Sequence, residues 1–211
     1  MQKSELRQLI LSSRKNDTNI DNLINQQLLL LVKELKPKII AAYIPIKQEV
    51  NILPSMQYFW QQGINIYMPS VIGKKQPLVF KSWSPSTKLI HGAYGTLEPD
   101  NNANIINIHD MKNIDIMLVP SLGIFIQKSS IYRLGYGGGF YDITISAAKF
   151  YHASFKTASI YHEDSIFCDN NHTLTEYTNK YNMLSAEISR IKIEEHDIAM
   201  DMAITPHCII E

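Results

Sequence analysis

At 211 residues the chain is long enough to bury one sizeable core, and that length predicts a single domain over 1–211, with room for a small subdomain. Hydrophobic residues make up 45% and charged ones 19%, with 20 basic against 20 acidic, a composition that excludes the net-basic footprint of a general nucleic-acid binder. Two cysteines, Cys168 and Cys208, are too few for a secreted disulfide framework.

The first residues, Met1 to Arg7, lack the apolar core of a signal peptide. The best apolar run, Leu28 to Val32, is bracketed by Gln26-Gln27 and Lys33-Glu34 and falls well short of the about 18 residues of a spanning helix. A cytoplasmic protein is expected, with small molecules as ligands and neither membrane nor nucleic acid as a partner.

In chain order, Ser4 to Ser13 places Leu6, Leu9 and Ile10 at helical spacing, with Lys3 and Arg7 four apart on one side. From spacing alone these two cations read as a solvated helix face. Asp17-Thr18 offers a cap for a second helix that runs through Leu23, Leu28, Leu31 and Leu35 to the stop at Lys36-Pro37. Lys38 to Ile44 is a buried strand ended by Pro45, and its exit carries Glu49. Asn51 to Gln62 reads as a helix stopped by Gly63, Ile64 to Met68 as a strand ended by Pro69, and Leu78 to Trp83 as another strand. Ile114 to Val119, ended by Pro120, is a buried strand feeding a loop that reaches Arg133, and Phe155 to Tyr161 is a strand after the next helix. Strands alternating with helices predict an α/β fold, a mostly parallel sheet with helices on both faces, whose ligands sit beyond the carboxyl ends of the strands. Glu49 and the glycine-rich stretch after Arg133 should then open onto one edge.

That stretch, Arg133-Leu-Gly-Tyr-Gly-Gly-Gly-Phe-Tyr-Asp142, holds four of the nine glycines. Glycines permit positive φ, so successive N–H groups can converge on an anion, and the helix predicted over Phe140 to Phe150 would turn its positive end to the same anion. Arg133 adds a planar cationic fork, and Asp142 a carboxylate able to take magnesium. The stretch lacks the lysine of G-x-x-x-x-G-K-[ST] and fits G-x-G-x-x-G imperfectly, so neither standard nucleotide motif applies. A glycine-rich hairpin or surface turn is the other reading. Among the seven histidines, His162-Glu163 lacks the partner that H-E-x-x-H needs, and there is no C-x-x-C, so zinc is not expected.

Several segments, in the same order, resemble the 5-formyltetrahydrofolate cyclo-ligases, also called methenyltetrahydrofolate synthetases. They are Lys3 to Arg7, Tyr43 to Glu49, Gly92-Ala-Tyr-Gly-Thr-Leu-Glu-Pro99, Val119-Pro120, Arg133 to Asp142, and Glu195-His-Asp197 with Asp201 and Thr205. The resemblance implies one cyclo-ligase-like domain that closes 5-formyltetrahydrofolate to 5,10-methenyltetrahydrofolate with ATP and Mg2+. It implies that Lys3, Arg7 and the loop Arg133, Leu134, Gly135, Tyr136, Gly137, Gly138, Gly139, Phe140 and Tyr141 contact ATP, which sets aside the solvated-face reading of Lys3 and Arg7. Ile44, Glu49, Tyr136, Gly137, Gly138, Gly139 and Phe140 would line the folate pocket. Arg133 and Asp142 would serve catalysis, and Asp142 and Asp197 would hold Mg2+.

The chain departs from the family at Phe125 to Tyr132, which lacks a Phe-Asp pair and a glycine before the arginine. It departs again at Ile143, where arginine is usual, and at Asp164, where glutamine is usual. Residues 168–193 read as an insertion with a helix around Met183 to Arg190. A monomer or small homo-oligomer is expected. The rival readings are a sugar-phosphate isomerase or CoA-transferase-like enzyme on a similar scaffold, and a non-catalytic folate or nucleotide binder.

Overall fold

The computed structural model describes residues 2–127, 129–162, 166–168 (backbone only) and 192–211. The expected helix at Met183 to Arg190, Glu163, Asp164 and nearly all of the 168–193 insertion lie outside the described residues.

Helix α1 (Lys3–Ser13) and helix α2 (Thr18–Leu35) come first; the Asp17 carboxylate caps α2 by accepting the Asn19 and Ile20 N–H groups, and left-handed Lys36 ends it. Strand β1 (Ile39–Ala41), helix α3 (Leu53–Gln61), and strands β2 (Asn65–Ser70) and β3 (Val79–Trp83) follow. Next come β4 (Leu89–His91), β5 (Leu97–Pro99), β6 (Ile105–Ile106), β7 (Ile116–Pro120), β8 (Gly123–Gln127) and β9 (Ser130–Leu134). Helix α4 (Phe140–Phe150) precedes β10 (Lys156–Ile160), β11 (Ile166–Cys168), β12 (Ala199–Met200), β13 (Met202–Ile204) and β14 (Ile209–Ile210).

The main sheet has the order β14-β13-β10-β7-β1-β2-β3-β6, and its central run from β13 to β2 is parallel. The edges are antiparallel. Strand β3 is among them because the 71–78 connection is too short for the dozen or more residues of a parallel crossover. Pro69 continues β2 instead of ending it. Its nitrogen faces the β1 side, beyond the last pair there, Ala41 with Tyr67, so the missing N–H leaves the β2–β3 ladder intact.

Side-chain alternation divides the core. Ile40, Ile66, Met68, Ile116, Leu118, Ala158 and Ile160 pack with Leu28 and Leu31 of α2 and Met56 and Phe59 of α3. Ala41, Met117, Val119 and Ala203 face the other way, onto Ile145 and Ala148 of α4 and Ile124, Ile126 and Ile131. The expected α/β fold with helices on both faces is present.

A second feature differs from expectation. After β7 the chain does not enter a long loop; it forms the β8–β9 hairpin of a second, four-stranded sheet, β11-β8-β9-β12. Gln127 pairs with Ser130, and Ser129 takes φ +62, a conformation glycine adopts at no steric cost. Arg133 is therefore a strand residue, opposite Ile124. Helix α1 covers the outer face of this hairpin, with Leu6 and Ile10 packed on Leu122, Phe125 and Leu134.

Candidate active site

The hairpin delivers Arg133 and Leu134 directly into the glycine loop, and α4 begins at its far end. Gly137 and Gly139 take φ +101 and +67, as an anion-binding turn requires. The other two glycines matter for space rather than angle. A Cβ on Gly135 would overlap the Arg133 guanidinium, and one on Gly138 would stand 2.9 Å from the Phe140 ring. Gly139 caps α4 without a side-chain bond, so the helix's positive end is left to the loop.

Arg133 folds back over Gly135 and donates from Nη2 to Asp142 Oδ2 at 2.6 Å, with its Cζ 5.4 Å from the centre of the Tyr141 ring. Its side chain is 5% exposed, yet its Nε has no partner among the described residues. Asp142 lies in the first turn of α4, where a carboxylate complements the helix dipole. Among the described residues its Oδ1 receives only a long 3.5 Å contact from the Ile198 N–H, next to Asp197. The two acids expected to hold Mg2+ thus come from adjoining backbone.

Helix α1 supplies the facing wall. Arg7 Nε donates to the Gly135 carbonyl at 2.7 Å, and its guanidinium carbon lies 3.5 Å from where a Cβ on Gly137 would stand. Burial lowers the Arg7 pKa; Asp197 and Glu194 oppose that, and the like charge of Arg133 reinforces it. Lys3 Nζ reaches Asp197 Oδ2 at 2.5 Å and Glu194 at 3.5 Å. Arg7 is thus engaged with the loop, and Lys3 with Glu194 and Asp197, unlike a solvated face.

Glu49 closes the tight turn after β1, where its Oε2 accepts the Ile46 N–H at 3.0 Å. Burial pushes its carboxyl up to about 7, against the lowering influence of the Ile46 N–H, Arg14, Lys47 and Arg133. Tyr136 is pushed up to about 12 by burial and then by Glu49, and Tyr141 and Tyr43 are raised by the same two causes. The turn that carries Glu49 therefore lies beside the glycine loop. The Tyr136 hydroxyl is buried with no partner among the described residues, and Lys47 Nζ stands 5.4 Å from that ring's centre. Ile44 is 8% exposed and belongs to the core cluster that α2 and α3 form with the central strands.

Arg14 is a contributor that sequence reading missed. It is buried at the end of α1 and donates to the carbonyls of Ser121 and Leu122, where the main sheet passes into the small one. Its spacing of seven from Arg7 puts both on one helix side, a signal present in the sequence but hidden by the assumption of a solvated face. Glu194, His196 and Asp197 also form a loose, mostly exposed group of metal-type ligands beside Lys3. Among the described residues no helix is long and apolar enough to cross a membrane.

Three cations, a helix N-terminus and two carboxylates on one side, with a shielded acid and tyrosines on the other, can hold a polyphosphate next to a polar planar molecule. The sequence profile of the 5-formyltetrahydrofolate cyclo-ligase family matches residues 1–168. The 5-formyltetrahydrofolate cyclo-ligase of Haemophilus influenzae is 32% identical over 123 residues, 58% of this chain and 63% of that protein. The 5,10-methenyltetrahydrofolate synthetase of Aquifex aeolicus superposes with a TM-score of 0.70 at 23% identity, covering 98% of this chain and 91% of the other. That of Mycoplasma pneumoniae does so with a TM-score of 0.67 at 21% identity, covering 98% and 100%. With a profile match running from α1 through the glycine loop to the end of β11, the chain belongs to the 5-formyltetrahydrofolate cyclo-ligase family.

Proposed function

We propose that this protein closes 5-formyltetrahydrofolate to 5,10-methenyltetrahydrofolate with ATP, releasing ADP and phosphate. One observation carries the reading: Arg7 bonds to the Gly135 carbonyl in the loop from Arg133 to Asp142 while Lys3 holds Asp197, and Lys47 of the turn that carries Glu49 stands 5.4 Å from the centre of the loop's Tyr136 ring. A phosphoryl donor and a folate can then meet across a single backbone segment.

In this reading Lys3, Arg7, Arg133 and the start of α4 neutralise the triphosphate, and the Arg133 Nε is a donor awaiting an acceptor. The formyl oxygen takes the γ-phosphoryl group. N10 then attacks the formyl carbon and gives up its proton, and phosphate leaves with the original formyl oxygen, so the ring closes. Glu49 accepts hydrogen bonds from the donor-rich pterin, and a bound donor draws it toward its ionised form. Ile44 and the loop from Tyr136 to Phe140 shape the folate side.

Asp142 and Asp197 fit Mg2+, which takes one or two carboxylates beside phosphate oxygens, and the weakly engaged Oδ1 of Asp142 leaves a hard oxygen for it. That ion, when bound, supplies further charge neutralisation at the phosphates. We read residues 1–211 as one cyclo-ligase domain, cytoplasmic, acting on small molecules as a monomer or small homo-oligomer.

The test is direct. Purified protein given 5-formyltetrahydrofolate, ATP and Mg2+ should develop the absorbance of methenyltetrahydrofolate, and omission of ATP should abolish it. Thermal stabilisation by both ligands without turnover would mark a non-catalytic binder, and no response to either would mark a family member acting on another substrate.

A further inference from the structure

The turn after β1 is held more firmly than a surface connection requires. The Glu49 N–H donates to the Ile46 carbonyl at 3.0 Å, and the Glu49 carboxylate accepts the Ile46 N–H at 3.0 Å, so one residue closes the turn from both sides. Behind it the buried Tyr43 hydroxyl donates to the Val50 carbonyl at 2.9 Å. Lys47 and Gln48 lie between these fixed points. Lys47 takes φ +51, a left-handed conformation that strains any residue with a Cβ. A clasped turn and a strained backbone thus combine to aim one lysine.

Its target is the glycine loop. Lys47 Nζ stands 5.4 Å from the centre of the Tyr136 ring, within the range of an ammonium over an aromatic face, and Tyr136 lies between Gly135 and Gly137, the two glycines that Arg7 approaches. Among the described residues the ammonium has no carboxylate or carbonyl partner, whereas Lys3 and Arg133 are each paired with an acid. Arg7 and Arg133 are fixed by the Gly135 carbonyl and Asp142; the Lys47 side chain is exposed and ends a flexible four-carbon stem. This cation stands between the loop that receives the triphosphate and the acid that receives the pterin. The γ-phosphoryl group has to cross there. As its bond to the ADP oxygen breaks and its bond to the formyl oxygen forms, negative charge is spread over its three other oxygens, and a compact ammonium able to follow the group stabilises that charge.

We propose that Lys47 is a catalytic residue, its ammonium leaving the Tyr136 face to neutralise the phosphoryl group as that group passes from ATP to the formyl oxygen. Tyr136 parks the cation between turnovers, and the Glu49 clasp aims it. This role deepens the cyclo-ligase reading of the site and rests on it.

Single turnovers test it, with the full chain in excess over 5-formyltetrahydrofolate and ATP saturating, because they read methenyltetrahydrofolate formation apart from product release. Lys47→Gln should slow that step about tenfold or more, while steady-state KM for ATP and for the folate each change less than about threefold, since the contact forms only in the transition state. Lys47→Arg keeps the charge and should retain at least about a third of the parent rate. Slowing by less than about tenfold in Lys47→Gln would overturn the proposal, as would equal slowing in Lys47→Arg and Lys47→Gln. A loss confined to the folate KM, and absent with 5-formyltetrahydropteroate, which lacks the glutamate carboxylates, would also overturn it and assign the lysine to the folate's tail. If Lys47→Gln does not fold, Lys47→Met carries the same expectation. Parent protein that turns over beside an indifferent variant refutes this proposal alone; parent protein that neither turns over nor gains stability from the folate refutes the functional reading with it.

Discussion

Gly135 and Glu49 show how single positions are set by their neighbours rather than by their own type. Gly135 has an ordinary φ, so its requirement is space: the Arg133 guanidinium occupies the place of its Cβ. Gly135→Ala should therefore dislodge Arg133 from Asp142 and lower kcat/KM for ATP tenfold or more, about 1.4 kcal/mol of transition-state stabilisation, with little change in Tm. Glu49 carries a different signature. Its folded pKa is raised from 4.5 to about 7, so the folded state binds more protons than the unfolded state between those values. Its contribution to stability is therefore greatest below pH 4.5 and falls as pH rises toward 7, by up to about 3 kcal/mol. Glu49→Gln should flatten that slope, as denaturant titrations of the two proteins at pH 5 and pH 7.5 would reveal. Bound folate should restore stability to the parent at the higher pH.

At the scale of elements, α1 is the most consequential and the least anchored. It belongs to neither layer of the main sheet and docks through Leu6 and Ile10 on the β8–β9 hairpin, helped by Arg7 on Gly135 and Arg14 on Ser121 and Leu122. Leu6 is fully buried in that contact. Leu6→Ala should cost about 2–5 kcal/mol locally, loosening α1 before the main sheet. Hydrogen exchange should then speed up in 3–13 far more than in β7 or β10, and nucleotide affinity should fall although no nucleotide ligand has been changed. The small sheet explains this dependence: its inner face completes the core shared with α4, while its outer face has α1 as cover.

For the whole molecule, the site is a junction of separate parts: the turn after β1, the hairpin, the glycine loop and α4, helix α1 and the segment around Asp197. A ligand that bridges them binds the folded state alone, so ATP with Mg2+ at about a hundred times its Kd should add about 2.7 kcal/mol of stability. Differential scanning fluorimetry in the presence and absence of nucleotide measures this, and addition of the folate should raise Tm further if the two occupy adjoining sites.

The sequence by itself determined helices α1 to α4, the buried parallel strands, the caps at Asp17 and Lys36, and a glycine loop flanked by Arg133 and Asp142, because these depend on periodicity and on the backbone freedom of neighbouring residues. Only the tertiary structure decided that Arg133 sits on a strand of a second sheet, that Lys3 and Arg7 turn inward and that Arg14 is buried. The β8–β9 strands are covered on both faces, which erases the alternation that would have announced them. Whether a helical cation meets water or a distant carbonyl is fixed by what packs there: Arg7 finds Gly135 and Lys3 finds Asp197, partners 128 and 194 residues away, beyond the reach of any local pattern.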